Sequence, residues 1–180
     1  MKTAHFEHSS LRERIIEHVL VGEILKRLWI RNVVDVEVLR SEFDAHGYDL
    51  VLSRGDLVRH IQLKTGTQNR PGKVSVSSGL AEKPSGCVIW IKVDDSLEMG
   101  PYFWFGSPPG KRLRDIGKYP FPRRATHNSA GERPERKNHR LVPGRDFDKI
   151  GSFDELLLAL LGDLANPSTA DEALIEATSE

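Results

Sequence analysis

The sequence predicts an α/β domain in which helices cover a central sheet, and three observations carry that prediction. Residues 11 to 31 bring apolar side chains at helical spacing behind a capping pattern. GYDLVLSRGDLVRHIQLKTG, residues 47 to 66, reads as two strand-like runs around an Arg-Gly-Asp turn. GCVIWIKV, residues 86 to 93, is continuously apolar, the pattern of a central strand covered on both faces. A chain of 180 residues with 38% hydrophobic and 29% charged residues suits one soluble domain with a full core. The domain is expected over residues 1–164, with a basic loop insertion at about 107–145 and a flexible acidic tail at 165–180.

The first helix opens at Ser10-Leu-Arg-Glu13, where Ser10 and Glu13 form a capping-box pattern. Its apolar residues Leu11, Ile15, Ile16, Val19, Leu20, Ile24, Leu25, Leu28 and Trp29 cover more than one stripe, so most of the helix is expected to be buried. Two acids inside it then need partners. Glu23 has Lys26 and Arg27 at i+3 and i+4, whereas Glu17 has only Leu20 and Val21 there. VVDVEVLR, residues 33 to 40, reads as a strand, and SEFDAHG as the loop into the hairpin. Short strand and helical signals follow at Lys73 to Ser78 and Gly79 to Lys83, and PYFWFG is an aromatic strand after the apolar run. The segment from Ser107 to Gly144 is rich in Pro, Gly and Arg and is expected to be mostly mobile loop, with NHRLV as an edge strand. Ser152-Phe-Asp-Glu155 repeats the capping pattern before a last helix that Gly162 ends.

The hairpin turn fixes which side chains meet. A two-residue Gly55-Asp56 loop of type II′ pairs Arg54 with Leu57 and carries the register down to Asp49 opposite Gln62. Opposed residues share a face with Cβ atoms about 4.5–5.5 Å apart, and Lys64 points the same way at roughly 7 Å. An acid, an amide and an ammonium therefore converge on one face, with Leu50 and Ile61 on the other. Such a set suits metal-assisted hydrolysis, since Mg²⁺ takes oxygen ligands and leaves room for water and phosphate. Lys64 is suited to orient or deprotonate that water, or to stabilise the charge of the transition state. The competing reading is an outward polar sheet face with an Asp-Lys contact worth about 0–1 kcal/mol.

An N-terminal helix with an embedded Glu, a strand, Asp49 in HGYDLVL on the second strand and Gln62-Leu63-Lys64 on the third resemble the PD-(D/E)XK, or restriction-endonuclease-like, nuclease superfamily. The resemblance covers roughly residues 11 to 93. It implies a mixed central β-sheet flanked by helices, and Mg²⁺-dependent cleavage of nucleic-acid phosphodiesters, with Mn²⁺ as an alternative metal. By position, Asp49 corresponds to the metal ligand, Gln62 to the second ligand and Lys64 to the catalytic lysine. Glu17 matches the helix acid that some members add to the metal shell, and Glu23 is its alternative. Gln62 departs from the commoner Asp or Glu, and a neutral amide lowers the charge that holds the metal.

Charge is divided along the chain. Residues 111 to 145 carry eleven Lys or Arg against three Asp or Glu, while residues from 146 onward carry one Lys against nine acids. Arg112, Arg114, Arg123, Arg124, Arg136 and Arg140 are the candidate phosphate contacts, and the partner implied is nucleic acid, DNA on the resemblance. Phe103, Trp104, Phe105, Tyr119 and Phe121 suit base stacking if exposed, though PYFWF reads more readily as core. His127, Asn128 and His139 lack the companion ligands of a histidine-based site. The single Cys87 sits in an apolar run and reads as a buried thiol in a reducing compartment. With no secretory or membrane-spanning run, a cytoplasmic location is expected. A homodimer is left open. A second functional reading competes with the nuclease, namely a weak or inactive nuclease-fold protein that binds nucleic acid or a protein partner.

Overall fold

The computed structural model describes residues 8–40 and 47–164. The expected acidic tail at 165–180 lies outside the described residues, as does most of the loop before the hairpin. Helix α1 (Ser9–Ile30) precedes strands β1 (Glu37–Arg40), β2 (Leu50–Arg54), β3 (Leu57–Gly66) and β4 (Lys73–Ser77). A one-turn helix α2 (Ser78–Ala81) leads to β5 (Gly86–Val93), β6 (Met99–Gly106), β7 (His139–Pro143), β8 (Asp148–Ile150) and helix α3 (Phe153–Leu161). The main sheet is mixed and six-stranded, in the order β1-β2-β3-β5-β6-β8, and β4 and β7 form a separate antiparallel pair. Among the described strands only β3 and β5 run parallel, joined by a crossover through β4 and α2. The molecule is thus α/β, with apolar layers on both faces of its sheet. Among the described residues no helix is long and apolar enough to cross a membrane.

One core lies between the sheet and helices α1 and α3. It joins Ile16, Leu20 and Ile24 to Leu50, Ile61, Ile89 and Leu156. The other lies on the opposite face, where Val76, Val88, Phe103 and Phe105 meet Leu113, Ile116, Tyr119 and Phe147. Val88 and Ile89 are both fully buried, as the unbroken apolar run of β5 requires for a strand with two covered faces.

Two features of α1 differ from expectation. The helix begins at Ser9 with His8 at its N-cap and no side-chain cap. Ser10 is therefore already in the first turn, and no capping box forms around it. The helix also buries one stripe only, Ile16, Leu20, Val21, Ile24 and Leu28, and leaves Leu11, Ile15, Val19, Leu25 and Trp29 exposed. The stripe that is buried faces the sheet, in one core with Leu50, Ile61 and Ile89. At α3 the cap forms: Ser152 Oγ accepts from the Glu155 amide at 3.1 Å, and Glu155 accepts from the Gly151 amide at 2.7 Å. Gly162 ends the helix at φ +79°.

The basic segment is irregular but anchored, which the loop reading did not foresee. Leu113, Ile116 and Tyr119 reach into the second core. Arg123 bridges to Glu135, and Asn128 Oδ1 accepts from the amides of Ala130 and Glu132 at the tip. Apolar residues spaced between the cations tie the segment down.

Candidate functional site

Asp49 stands where the hairpin opens. The β2–β3 ladder follows the register set by the turn, from Arg54↔Leu57 to Leu50↔Ile61, and β2 stops there. From Gln62 onward β3 pairs along one edge only, with β5. Asp49 covers the first part of the vacated edge. Its amide donates to the Ile61 carbonyl at 2.8 Å, and its Oδ2 accepts from the Leu63 amide at 2.6 Å. These two bonds bracket Gln62 and hold the carboxylate against the strand that carries Lys64.

A cavity of about 360 Å³ lies at this fork, lined by Glu13, Arg14, Glu17, Asp49, Leu63 and Lys64 among others. Three candidate residues, Glu17, Asp49 and Lys64, thus come from a helix, a strand entry and a long strand to one space. Glu23 does not join them. It is held by Arg27 at 2.7 Å and Lys26 at 3.4 Å beside a different cavity, and the Arg27 hydrogen bond brings its carboxyl below the usual range. Of Glu17 and Glu23, Glu17 is the one that shares a cavity with Asp49, and Glu13 lines it too.

Glu17 has cations that helix spacing toward the C-terminus could not reveal. Arg40 Nε lies 3.0 Å from its Oε1, and Arg14 Nη1, one turn earlier, lies at 3.6 Å. Neither contact is aligned as a hydrogen bond, so Oε1 is buried without a hydrogen-bond partner. The attraction is one of proximity rather than direction.

Gln62 is 5% exposed and does not line the cavity. Its Oε1 is also a buried oxygen without a hydrogen-bond partner. The space beside it is set by Gly47, at φ +71°, where an added Cβ would overlap Ser77 and lie 3.6 Å from Gln62 Nε2. The Glu17 and Asp49 carboxylates that line the cavity are hard oxygen donors of the kind Mg²⁺ takes, while the orphaned Gln62 oxygen lies outside that lining. Among the described residues no group of three or more His, Cys, Asp or Glu is placed to hold a metal ion.

The basic segment approaches the same region through the small sheet. Ser77, which packs against Gly47, pairs with His139, and Arg136 Nη2 lies 3.2 Å from His139 Nε2. Arg112, Arg123, Arg124 and Arg136 are exposed. Arg140 is stacked over Phe121 at 3.8 Å. Arg114 is committed to the fold, donating to the Gly106 carbonyl and Asp148 and lying 4.6 Å over the Phe105 ring. Phe103, Trp104, Phe105 and Tyr119 are buried and closed to stacking on bases. His127 pairs with Arg133, and it does not meet His139 in any shared site. Cys87 is fully buried, and burial pushes its thiol up to about 12, so it is no nucleophile.

Sequence reasoning missed Arg14, Arg40 and Glu13. The last lies one helical turn before Glu17, a spacing that marks a shared face, but Arg40 comes to Glu17 only through the pairing of β1 with β2. Comparison with models of known protein families and with curated proteins gives no match to this chain.

Proposed function

We propose that this protein is a Mg²⁺-dependent nuclease that hydrolyses phosphodiester bonds in DNA. One observation carries the reading: Glu17, Asp49 and Lys64 line a single cavity at the point where β3 runs on past the end of β2. Asp49 and Glu17 are the cavity residues that would hold the metal, with Gln62, next to Asp49's hydrogen bonds on β3, as the further oxygen donor. Bound there, Mg²⁺ supplies an acidified water and shields the phosphate charge. Hydrolysis joins a water oxygen to phosphorus and breaks the bond to one sugar oxygen. Lys64 places an ammonium beside the phosphoryl group, where it stabilises the charge that grows on the non-bridging oxygens. The Leu63 amide keeps Asp49 oriented. The exposed arginines 112, 123, 124 and 136 then meet the phosphates on either side.

Cleavage of plasmid, single-stranded DNA and RNA with Mg²⁺ or Mn²⁺ tests the reading. Lys64→Ala is expected to lower the nicking rate by about 10²–10³-fold, the usual loss for one charge-stabilising donor. Asp49→Ala should be at least as damaging. Wild-type rates in both variants would show that the hairpin is a structural face.

A second reading draws on Arg14 and Arg40 standing against Glu17 and on Gln62 lying outside the cavity lining. It takes the protein as a nuclease-fold binding module. DNA binding without cleavage under either metal would favour it.

A further inference from the structure

Arg40 is an unusual neighbour for a metal-binding carboxylate. It is the last residue of β1 and pairs with Leu50, so its backbone lies beside the strand that Asp49 leads. Its Nε faces Glu17 Oε1 at 3.0 Å, and its Nη1 lies 3.1 Å from His18 Nε2. His18 Nδ1 is 2.7 Å from the Arg14 carbonyl. An imidazole that donates from Nδ1 to that carbonyl leaves Nε2 to accept from Arg40, which steers the guanidinium onto Glu17.

We propose that Arg40 occupies the place of a cation at Glu17 in the resting protein and that a phosphodiester draws it off, so that nucleic acid and Mg²⁺ bind cooperatively. The inference rests on the metal site proposed above. A guanidinium against Glu17 neutralises charge that Mg²⁺ needs. The Arg40–Glu17 contact is short but not aligned as a hydrogen bond, and the Arg40 side chain is 37% exposed, open to a competing anion. A phosphate offers two oxygens in the fork geometry that arginine prefers over a single misaligned carboxylate oxygen. Arg14 lines the same cavity, contacts the same Glu17 at a longer distance and is still more exposed. Substrate at the cavity mouth therefore takes the arginines and frees Glu17 for the metal. By linkage, whatever factor DNA adds to metal affinity, the metal adds to DNA affinity.

Calorimetric titration of Mg²⁺ into wild type, Arg40→Gln, Glu17→Gln and the double variant tests this without any activity readout. Arg40→Gln is expected to tighten Mg²⁺ on the order of tenfold, within the usual range for coupled sites. The same change in the Glu17→Gln background should do nothing. In a Lys64→Ala background, which holds off cleavage, Mg²⁺ at constant ionic strength should tighten binding of a short DNA duplex by a similar factor, and Arg40→Gln should remove that gain. Unchanged Mg²⁺ affinity in Arg40→Gln, with Asp49→Ala still abolishing metal binding, would overturn the exchange and leave the metal site standing. Tightening that persists without Glu17 would also overturn it, as a long-range charge effect. Absence of Mg²⁺ binding in all of these proteins would overturn both.

Discussion

Asp49 and Gln62 divide the hairpin's polar chemistry between an exposed carboxylate tied to the backbone and a buried amide with an orphaned oxygen. Gln62→Glu is informative for that reason. In the absence of metal it puts a carboxylate in a buried site where the oxygen has no hydrogen-bond partner, a change expected to cost about 1–3 kcal/mol. Mg²⁺ should restore most of that loss, since a full carboxylate is a stronger ligand than an amide. Thermal melts with and without Mg²⁺ check it, and a variant melt that ignores Mg²⁺ would remove Gln62 from the ligand set. At this scale the sequence was legible where geometry is local. The Gly55-Asp56 turn fixes the register, and the register brings Asp49 to Gln62 and the strand carrying Lys64. The cations on Glu17 were not legible, because Arg14 lies one turn back and Arg40 arrives through strand pairing.

Elements show how distant parts of the chain secure that hairpin. Arg59 on β3 is fully buried, and among the described residues it meets carbonyls rather than a carboxylate. Its guanidinium donates to the carbonyls of Leu160, Ala159 and Ser107 at 2.9, 2.8 and 3.2 Å and lies 5.3 Å over the Trp104 ring. Two of these acceptors belong to the last turn of α3, whose carbonyls have no helical partner and favour a cation. Arg59→Met keeps the bulk but leaves buried carbonyls unsatisfied, and is expected to cost about 2–4 kcal/mol. Urea unfolding should show a lower midpoint with an unchanged slope; an equal midpoint would mean that water takes over the acceptors. Nothing in the sequence near Arg59 announces this role, since LVRHIQL reads as an ordinary strand. The helices were legible in position but not in exposure: apolar spacing located α1, but which of its apolar positions would face the sheet was not readable from periodicity alone, and Leu11, Val19 and Trp29 stay exposed.

Over the whole molecule, the order of helix, hairpin, apolar strand and aromatic strand follows from periodicity and turn chemistry, and the α/β class follows with it. The second core was harder to foresee, because Leu113, Ile116 and Tyr119 are scattered among cations and prolines that read as loop. That anchoring sharpens the prediction for DNA affinity. Neutralising Arg112, Arg123, Arg124 and Arg136 should lower the salt dependence of binding by a slope of about 0.9 for each phosphate that is no longer neutralised. Changing Arg114 should weaken the fold and leave the slope alone. Binding measured across a salt series distinguishes these outcomes, and an unaltered slope in the fourfold variant would move the interface elsewhere.

Arg59 also sets an order of events during synthesis. Its partners in α3 lie 100 and 101 residues further along the chain, so until α3 is made this guanidinium has only the Ser107 carbonyl and the Trp104 ring to receive it. The hairpin bearing Asp49 and Lys64 can form early but cannot close over its charge until the last helix has emerged. Chains that lack α3 would leave two of the three carbonyl acceptors of Arg59 missing and the hairpin loose and open to proteases, so α3 serves as its latch.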